Sequence, residues 1–515
     1  MPSPLGSVAI RLMIAVLMTS AAAPALAQSA SQSPPSEQAD TIADLQRQID
    51  ELKSMVAALQ AERSDTPAPS PDLAHQESAP GTNPQAADVA GEQPILPAAP
   101  AFALADSSPA PDDVVIRRAR LGEPPEALVP ARADKPWYEK LVLRGYTQMR
   151  MNQIVSGPAS APDGISRLRT IGDGAVRDDS NFSFRRVRLI LQGDLNDYVS
   201  LYLQPDLATA VSNQSGGERR EGFAQLRDAY ADVFPTGDKS FRIRFGQSKV
   251  PYGWENMQSS SNRLALDRTD GINSAAPGER DLGVVAYYTP DSVRGIWDRL
   301  MADGQKLFGN YGAFGLGVFN GQGLNRTERN DAVMTVGLAT WPFALDGLGL
   351  DGQVFELGGS VMRNRVSPEV RPGGISPLSY ADNRVGVHAI LYPQPFGLQG
   401  EWNWGTGPEF DPVTGRIEER PLRGGYVQAM GRVRQSPVGP FYPFARWQYY
   451  RGGFKAAINA PRLETEELEL GLEFLPTPPL EITVTYGWAS RKEADERRFG
   501  QAEGQLLRIQ AQWNY

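Results

Sequence analysis

The sequence predicts an all-β fold: a transmembrane antiparallel β-barrel of about sixteen strands, preceded by a short coiled-coil helix and a disordered linker. Three observations lead there. The chain opens on an export signal. Its last 380 or so residues are a succession of short segments that alternate apolar and polar residues. Aromatic residues gather near the ends of those segments, where a bilayer has its interfaces.

The opening segment is the only one that resembles a helical span. Arg11 precedes the apolar run Leu12 to Met18, then small residues and Ala25-Leu26-Ala27. A charged start, a short apolar stretch and an A-x-A site make a secretory signal over residues 1–27, too short to cross a bilayer; the bland alternative is a buried N-terminal helix. With 41% hydrophobic residues, the chain is far too polar for a bundle of membrane helices. It has no cysteine, so an exported product must be held by something other than disulfides. A closed barrel does this, because every strand is paired on both sides. The net charge of -9 argues against nucleic acid as a partner.

Residues 28–63 contain Ile42, Leu45, Ile49, Leu52, Val56 and Leu59, spaced three and four apart. That is a heptad seam with β-branched residues at a and leucine at d. So few heptads are marginal as a lone helix in water, so the segment needs partner chains. The a and d choice leans towards a dimer, and Met55 beside the seam leaves room for a trimer. An amphipathic helix packed on a domain is the other reading. Residues 64–134 turn to Pro, Ala, Ser, Asp and Glu with few aromatics, the composition of a disordered linker. A flexible chain of this length spans roughly 50 Å.

Residues 135–515 are the predicted barrel. Val187, Leu189 and Leu191 alternate with Arg186, Arg188, Ile190 and Gln192; Phe241, Ile243 and Phe245 alternate with Arg242 and Arg244. The last segment is the clearest. Leu507, Ile509, Ala511, Trp513 and Tyr515 share one face, and Arg508, Gln510, Gln512 and Asn514 the other. A soluble β-sandwich alternates in the same way. The export signal, the final aromatic strand and Tyr287, Tyr288, Trp341, Phe343, Trp402, Trp404, Tyr449 and Tyr450 near segment ends favour a membrane barrel with aromatic girdles. Sharing the region among sixteen strands leaves about 24 residues for each strand and its connection, which fits strands of about ten residues with short turns and long loops.

Several blocks in this region resemble one family. They are Phe184-Arg185-Arg186-Val187-Arg188-Leu189 with Gly193-Asp194, and Leu226-Arg227-Asp228-Ala229-Tyr230. Phe245-Gly246-Gln247-Ser248-Lys249-Val250-Pro251-Tyr252-Gly253-Trp254-Glu255 is the most specific, and Arg280-Asp281-Leu282-Gly283-Val284 follows it. Gly317-Val318-Phe319-Asn320-Gly321 and Gly397-Leu398-Gln399-Gly400-Glu401-Trp402 complete the series. In order and spacing these resemble the phosphate-selective porins O and P, over roughly residues 182–515. The resemblance implies a sixteen-stranded barrel in a Gram-negative outer membrane, a homotrimer, and passive uptake of small anions such as phosphate. It implies no cofactor. It also implies that the strand ending at Tyr515 is read by the outer-membrane assembly machinery, and that outer-membrane lipid surrounds the barrel.

The alternation forces Arg186, Arg188, Arg242 and Arg244 into the lumen, since a guanidinium facing lipid near the midplane costs several kcal/mol, about 2–4. An arginine-lined aqueous pore favours anions over cations. Arginine stays charged, and its fork matches two oxygens of a phosphate or carboxylate. The alternative is that these arginines only pair with lumen carboxylates such as Asp194, Asp206 and Asp228. Lys249 opens a long segment poor in strands that also holds Arg263, Arg268 and Arg280. Such an insertion is either a loop folded inward to narrow the channel or an external loop. A structural tether, holding the membrane through the coiled coil, is the rival function.

Other signals carry no chemistry. Gly347-x-Gly349-x-x-Gly352 has the spacing of a dinucleotide fingerprint, but a strand over 353–362 follows it where a helix is required. His75 and His388 are the two histidines, and with no cysteine a transition-metal centre is not expected.

Overall fold

The computed structural model describes residues 137–157, 168, 173, 176, 181–210, 221–309, 311–371, 373–437, 439–494 and 499–515. The expected signal, coiled coil and linker all lie outside these residues.

Eighteen strands follow in chain order: β1 (Val142–Ser156), β2 (Asn181–Asn196), β3 (Val199–Ala210), β4 (Glu221–Val233), β5 (Phe241–Lys249), β6 (Arg280–Tyr288), β7 (Phe314–Phe319), β8 (Met334–Ala344), β9 (Val354–Arg363), β10 (Arg365–Val366), β11 (Tyr380–Ala381), β12 (Asn383–Leu391), β13 (Phe396–Asp411), β14 (Arg416–Gly431), β15 (Phe441–Gly453), β16 (Arg462–Thr477), β17 (Leu480–Ala494) and β18 (Phe499–Asn514). Sixteen of them form one closed antiparallel barrel; β10 and β11 pair with each other as a small sheet. Each barrel strand pairs with its neighbour in the chain, and β1 closes on β18 with Tyr146 opposite Asn514. Tyr515 and Gly145 exchange both backbone hydrogen bonds, at 2.6 and 3.0 Å. No strand edge is left open, so the exposed N–H and C=O groups that lipid cannot satisfy are absent from the barrel wall.

Period-two patterning becomes two faces. Leu191, Leu203, Phe245, Leu316, Val361, Val385, Leu398 and Val427 stand exposed on the outer face. Their neighbours Gln192, Gln204, Arg244, Arg384, Gln399 and Gln428 are buried on the inner face. The aromatic positions divide. Tyr288, Phe343 and Trp404 are exposed outside, and Trp402, Trp447 and Tyr449 stack with centroids 6.1 to 6.3 Å apart. Tyr287 and Tyr450, expected in the girdles, instead point inward and are fully buried. Each adjoins a second tyrosine in the chain, and alternation sends only one of each pair outward. The glycine-rich stretch before β9 is a 3-10 turn at Asp346–Leu348, ending on Gly349 with φ 75.

Connections differ sharply between the two ends. At the end holding the start of β1 and Tyr515, β2–β3 and β16–β17 turn in two residues. The β6–β7 connection at this same end carries a helix, Asp291–Ala302, named α3 below. At the far end the β5–β6 connection carries two short helices, α1 (Trp254–Met257) and α2 (Asp270–Ala275). Both connections fold inside the barrel. A cluster of Trp254, Met257, Leu264, Val293, Trp297, Leu300 and Phe308 packs against inward residues of the wall, including Leu338, Ile390, Met430, Tyr442 and Phe444.

The constricted lumen as candidate functional site

The β5–β6 loop, residues 250–279, crosses the lumen and is buried nearly throughout. Of the two placements open from sequence, inward is the one observed. Its polar residues find partners all round the wall. Ser260 meets Tyr146 at 2.7 Å and accepts from Gln148 and Arg188. Asp267 is held by Arg150 and Arg508, both at 2.8 Å, and by Arg185 at 3.2 Å. Asp270 ion-pairs with Arg491 and accepts from Thr465 at 2.7 Å. On the opposite wall Glu401 accepts the backbone N–H groups of Trp254 and Glu255, at 2.7 and 3.0 Å. Gly253 is needed there: its φ is 81, and a Cβ would lie 2.7 Å from the Glu401 carboxylate. Burial alone would raise the Asp267 carboxyl; Arg150, Arg185 and Arg508 instead hold it well below the usual carboxylate range.

The eight residues singled out from sequence fall into three groups. Arg188, Arg244 and Arg280 are inward and each is paired with an acid. Arg188 meets Asp206 at 2.8 Å, Arg244 grips Asp232 with two bonds of 2.7 Å, and Arg280 meets Asp228 at 2.9 Å. Arg244 also lies over the Tyr230 ring, 3.7 Å from its centroid. Pairing with lumen carboxylates therefore holds for Asp206 and Asp228, whereas Asp194 pairs with Lys239. Arg242 is inward, 3.8 Å from Asp232 and 5.1 Å from the Tyr287 ring centroid.

Lys249 is structural in its contacts. Its ammonium donates to the carbonyls of Met257 and Gln258, at 3.1 and 2.7 Å, and so ties down the end of α1.

The third group carries surplus charge. Arg186 donates to Gln148 at 2.7 Å and, among the described residues, has no carboxylate partner. The charges acting on it most strongly are those of Arg185, Arg188 and Arg263. Among the described residues, Arg263 makes no hydrogen bond through any of its three side-chain nitrogens; Glu279 lies 3.6 Å away. That one carboxylate also serves Arg268, at 3.2 Å, and Arg280. Burial would raise the Glu279 carboxyl, yet Arg268, Arg280, Lys249 and Arg263 hold it well below its usual range. Arg263, Arg268 and Arg280 have two acids between them, Glu279 and Asp228, so positive charge is in excess at this point of the loop.

Among the lumen cations not singled out from sequence, two share one reason. The β1–β2 pairing slips between Gln148 and Met149, so that Arg185 sits in a bulge and reaches the lumen. The β3–β4 pairing slips at Gln204 and Pro205, opposite Arg227. Arg227 turns in and donates to Gln225 and to the Gly278 carbonyl, at 3.2 and 3.1 Å, with no carboxylate partner among the described residues. A bulge re-aims one side chain and defeats strict alternation.

A closed sixteen-stranded antiparallel barrel, with an inward loop and a charged, polar lumen, is the architecture of a porin. The chain belongs to the phosphate-selective porin O and P family, whose model matches residues 166–515. It is thus an outer-membrane channel of a Gram-negative bacterium, and this family works as channels, not as enzymes. Among solved structures it is similar to the outer membrane channel DcaP of Acinetobacter baumannii, at 14% identity, covering 73% of this chain and 97% of that one, with a TM-score of 0.47. It is also similar to an anion-selective porin from Comamonas acidovorans, at 11% identity, covering 73% and 99%, with a TM-score of 0.42. The trimer form of OmpT from Vibrio cholerae matches at 10% identity, covering 73% and 99%, with a TM-score of 0.42. No curated protein sequence matches the chain.

Proposed function

We propose that the barrel passes small hydrophilic anions, phosphate among them, down their gradients. The observation carrying this is the cationic surplus at the constriction: Arg186 and Arg227 without carboxylates, and Arg263 sharing Glu279 with two other arginines. Fixed positive charge in a narrow low-dielectric passage lowers the barrier to anions and raises it for cations. Several exchangeable sites permit release as well as entry, where one tight site would block flux. Arg188, Arg242, Arg244, Arg268 and Arg280 contribute mainly by shaping the passage, and Lys249 by fixing the loop.

The assembly belonging to this reading is a homotrimer. Residues 1–27 are removed on export, 28–63 form a coiled coil in the periplasm, and 64–134 link it to the barrel. A tether role is not favoured, because a lumen with this much organised charge serves no purpose in a mere anchor. Proteoliposome uptake tests the proposal. Radiolabelled phosphate should enter faster than a potassium-sized cation, and R186Q with R263Q should cut that preference about fivefold or more. An unchanged preference would leave these arginines as structural groups.

A further inference from the structure

We infer that the β6–β7 segment, in its described residues 289–309 and 311–313, is a second restricting element of the channel, and that Glu356 is the positioning residue that clasps it to the β5–β6 loop. The inference rests on the channel reading but not on its anion preference.

The wall itself is the first argument. Inward residues of a water-filled barrel are polar. Near the β1 end, those of β18, β1 and β2 are: Gln512, Asn514, Arg144 and Gln192. On β8, β12, β14, β15 and β16, the inward residues towards that end include Leu338, Ile390, Met430, Tyr442, Phe444 and Leu475, with Thr340 and Glu473 among them. So apolar a wall is built to be covered, and α3 covers it. Val293, Trp297 and Leu300, spaced four and three, are buried against it, while Asp291, Ser292 and Asp298 on the other face are exposed.

The clasp is the second. Trp254 of the loop and Trp297 of α3 each donate an indole N–H to Glu356, at 3.2 and 3.0 Å, one to each oxygen. Thr340 and Tyr392 of the wall donate to the same carboxylate, at 2.7 and 2.9 Å. Two further bonds run directly from loop to segment: Gln258 to the Lys306 carbonyl at 2.8 Å, and Asn262 to the Leu307 carbonyl at 2.6 Å. The segment is also pinned to the wall. Arg432 and Arg434 reach Asp303, and Lys306 reaches Glu473 and Glu481, at 2.7 and 3.3 Å. A connection needs none of this, since β16 and β17 are joined in two residues. Loop and segment thus make one packed body, and water is left the polar side of the lumen.

The test uses the full chain in planar bilayers and in swelling liposomes. W297A with L300A should raise single-channel conductance about twofold and admit larger uncharged sugars, with the anion-to-cation ratio kept. E356A should shift conductance and size limit the same way, and E356Q, which keeps volume and one acceptor oxygen, should largely restore both. L300A alone serves as the mild variant should the double substitution fail to assemble, with a smaller rise expected. Barrels of W297A with L300A, or of E356A, that assemble with conductance and size limit unchanged would overturn the inference. A loss of anion preference in wild type would instead count against the proposed function and leave this one standing.

Discussion

Arg244 and Arg263 carry the same charge in the same lumen and do different things. Arg244 is enclosed, bonded twice to Asp232 and stacked on Tyr230. Removing one member of a buried, hydrogen-bonded pair strands the other, at a cost of about 3 kcal/mol or more. R244Q should therefore lower the temperature at which the folded band shifts on electrophoresis, with little direct effect on selectivity. Arg263 makes no hydrogen bond among the described residues and leans on an acid already shared. R263Q should leave that temperature within a few degrees of wild type and reduce anion preference, since removing an unbonded cation relieves repulsion as it removes charge. Equal thermal shifts for the two variants would count against this division.

At the scale of elements, the loop is held on opposite walls by two carboxylates of different kinds. Asp267 sits on the loop and is gripped by arginines of β1, β2 and β18. Its folded-state pKa is depressed, so its contribution is present above the ordinary carboxylate range and fades only as pH falls through the lower folded value. D267N should make the open channel noisy at neutral pH, and acidifying wild type to about pH 4 should not reproduce that change through this residue. Much of this level was legible in the sequence. The Phe245–Glu255 block marked where the loop starts, and alternation placed Arg186, Arg188, Arg242 and Arg244 on the inner face. Arg185 and Arg227 were not legible, because a bulge adds one residue without a signature in composition. Nor was α3 legible as a lumen element: the spacing of Val293, Trp297 and Leu300 predicts a buried face, but a local pattern does not say which wall receives it. Tyr287 and Tyr450 show the same limit, since an aromatic pair names a girdle without saying which member points outward.

For the whole molecule, the barrel came from the export signal and the period-two faces, and the sixteen strands match the number that the family resemblance implied. Which acid meets which arginine is a matter of tertiary distance, so sequence alone could not separate surplus charge from paired charge. On the proposed organisation the coiled coil serves assembly and the barrel serves transport. Deleting residues 28–134 behind a retained signal should leave the conductance of each open step unchanged while lowering the fraction of trimer that survives mild detergent, read by native electrophoresis. A change in the unit step would contradict that separation of roles.

The most direct test of anion passage is the zero-current potential of the purified wild-type protein in a planar bilayer under a roughly tenfold potassium chloride gradient. The surplus of Arg186, Arg227 and Arg263 predicts a potential on the chloride side, moved towards zero by R186Q with R263Q. A potential on the potassium side would contradict it, and would reduce those arginines to partners in the packing of the loop.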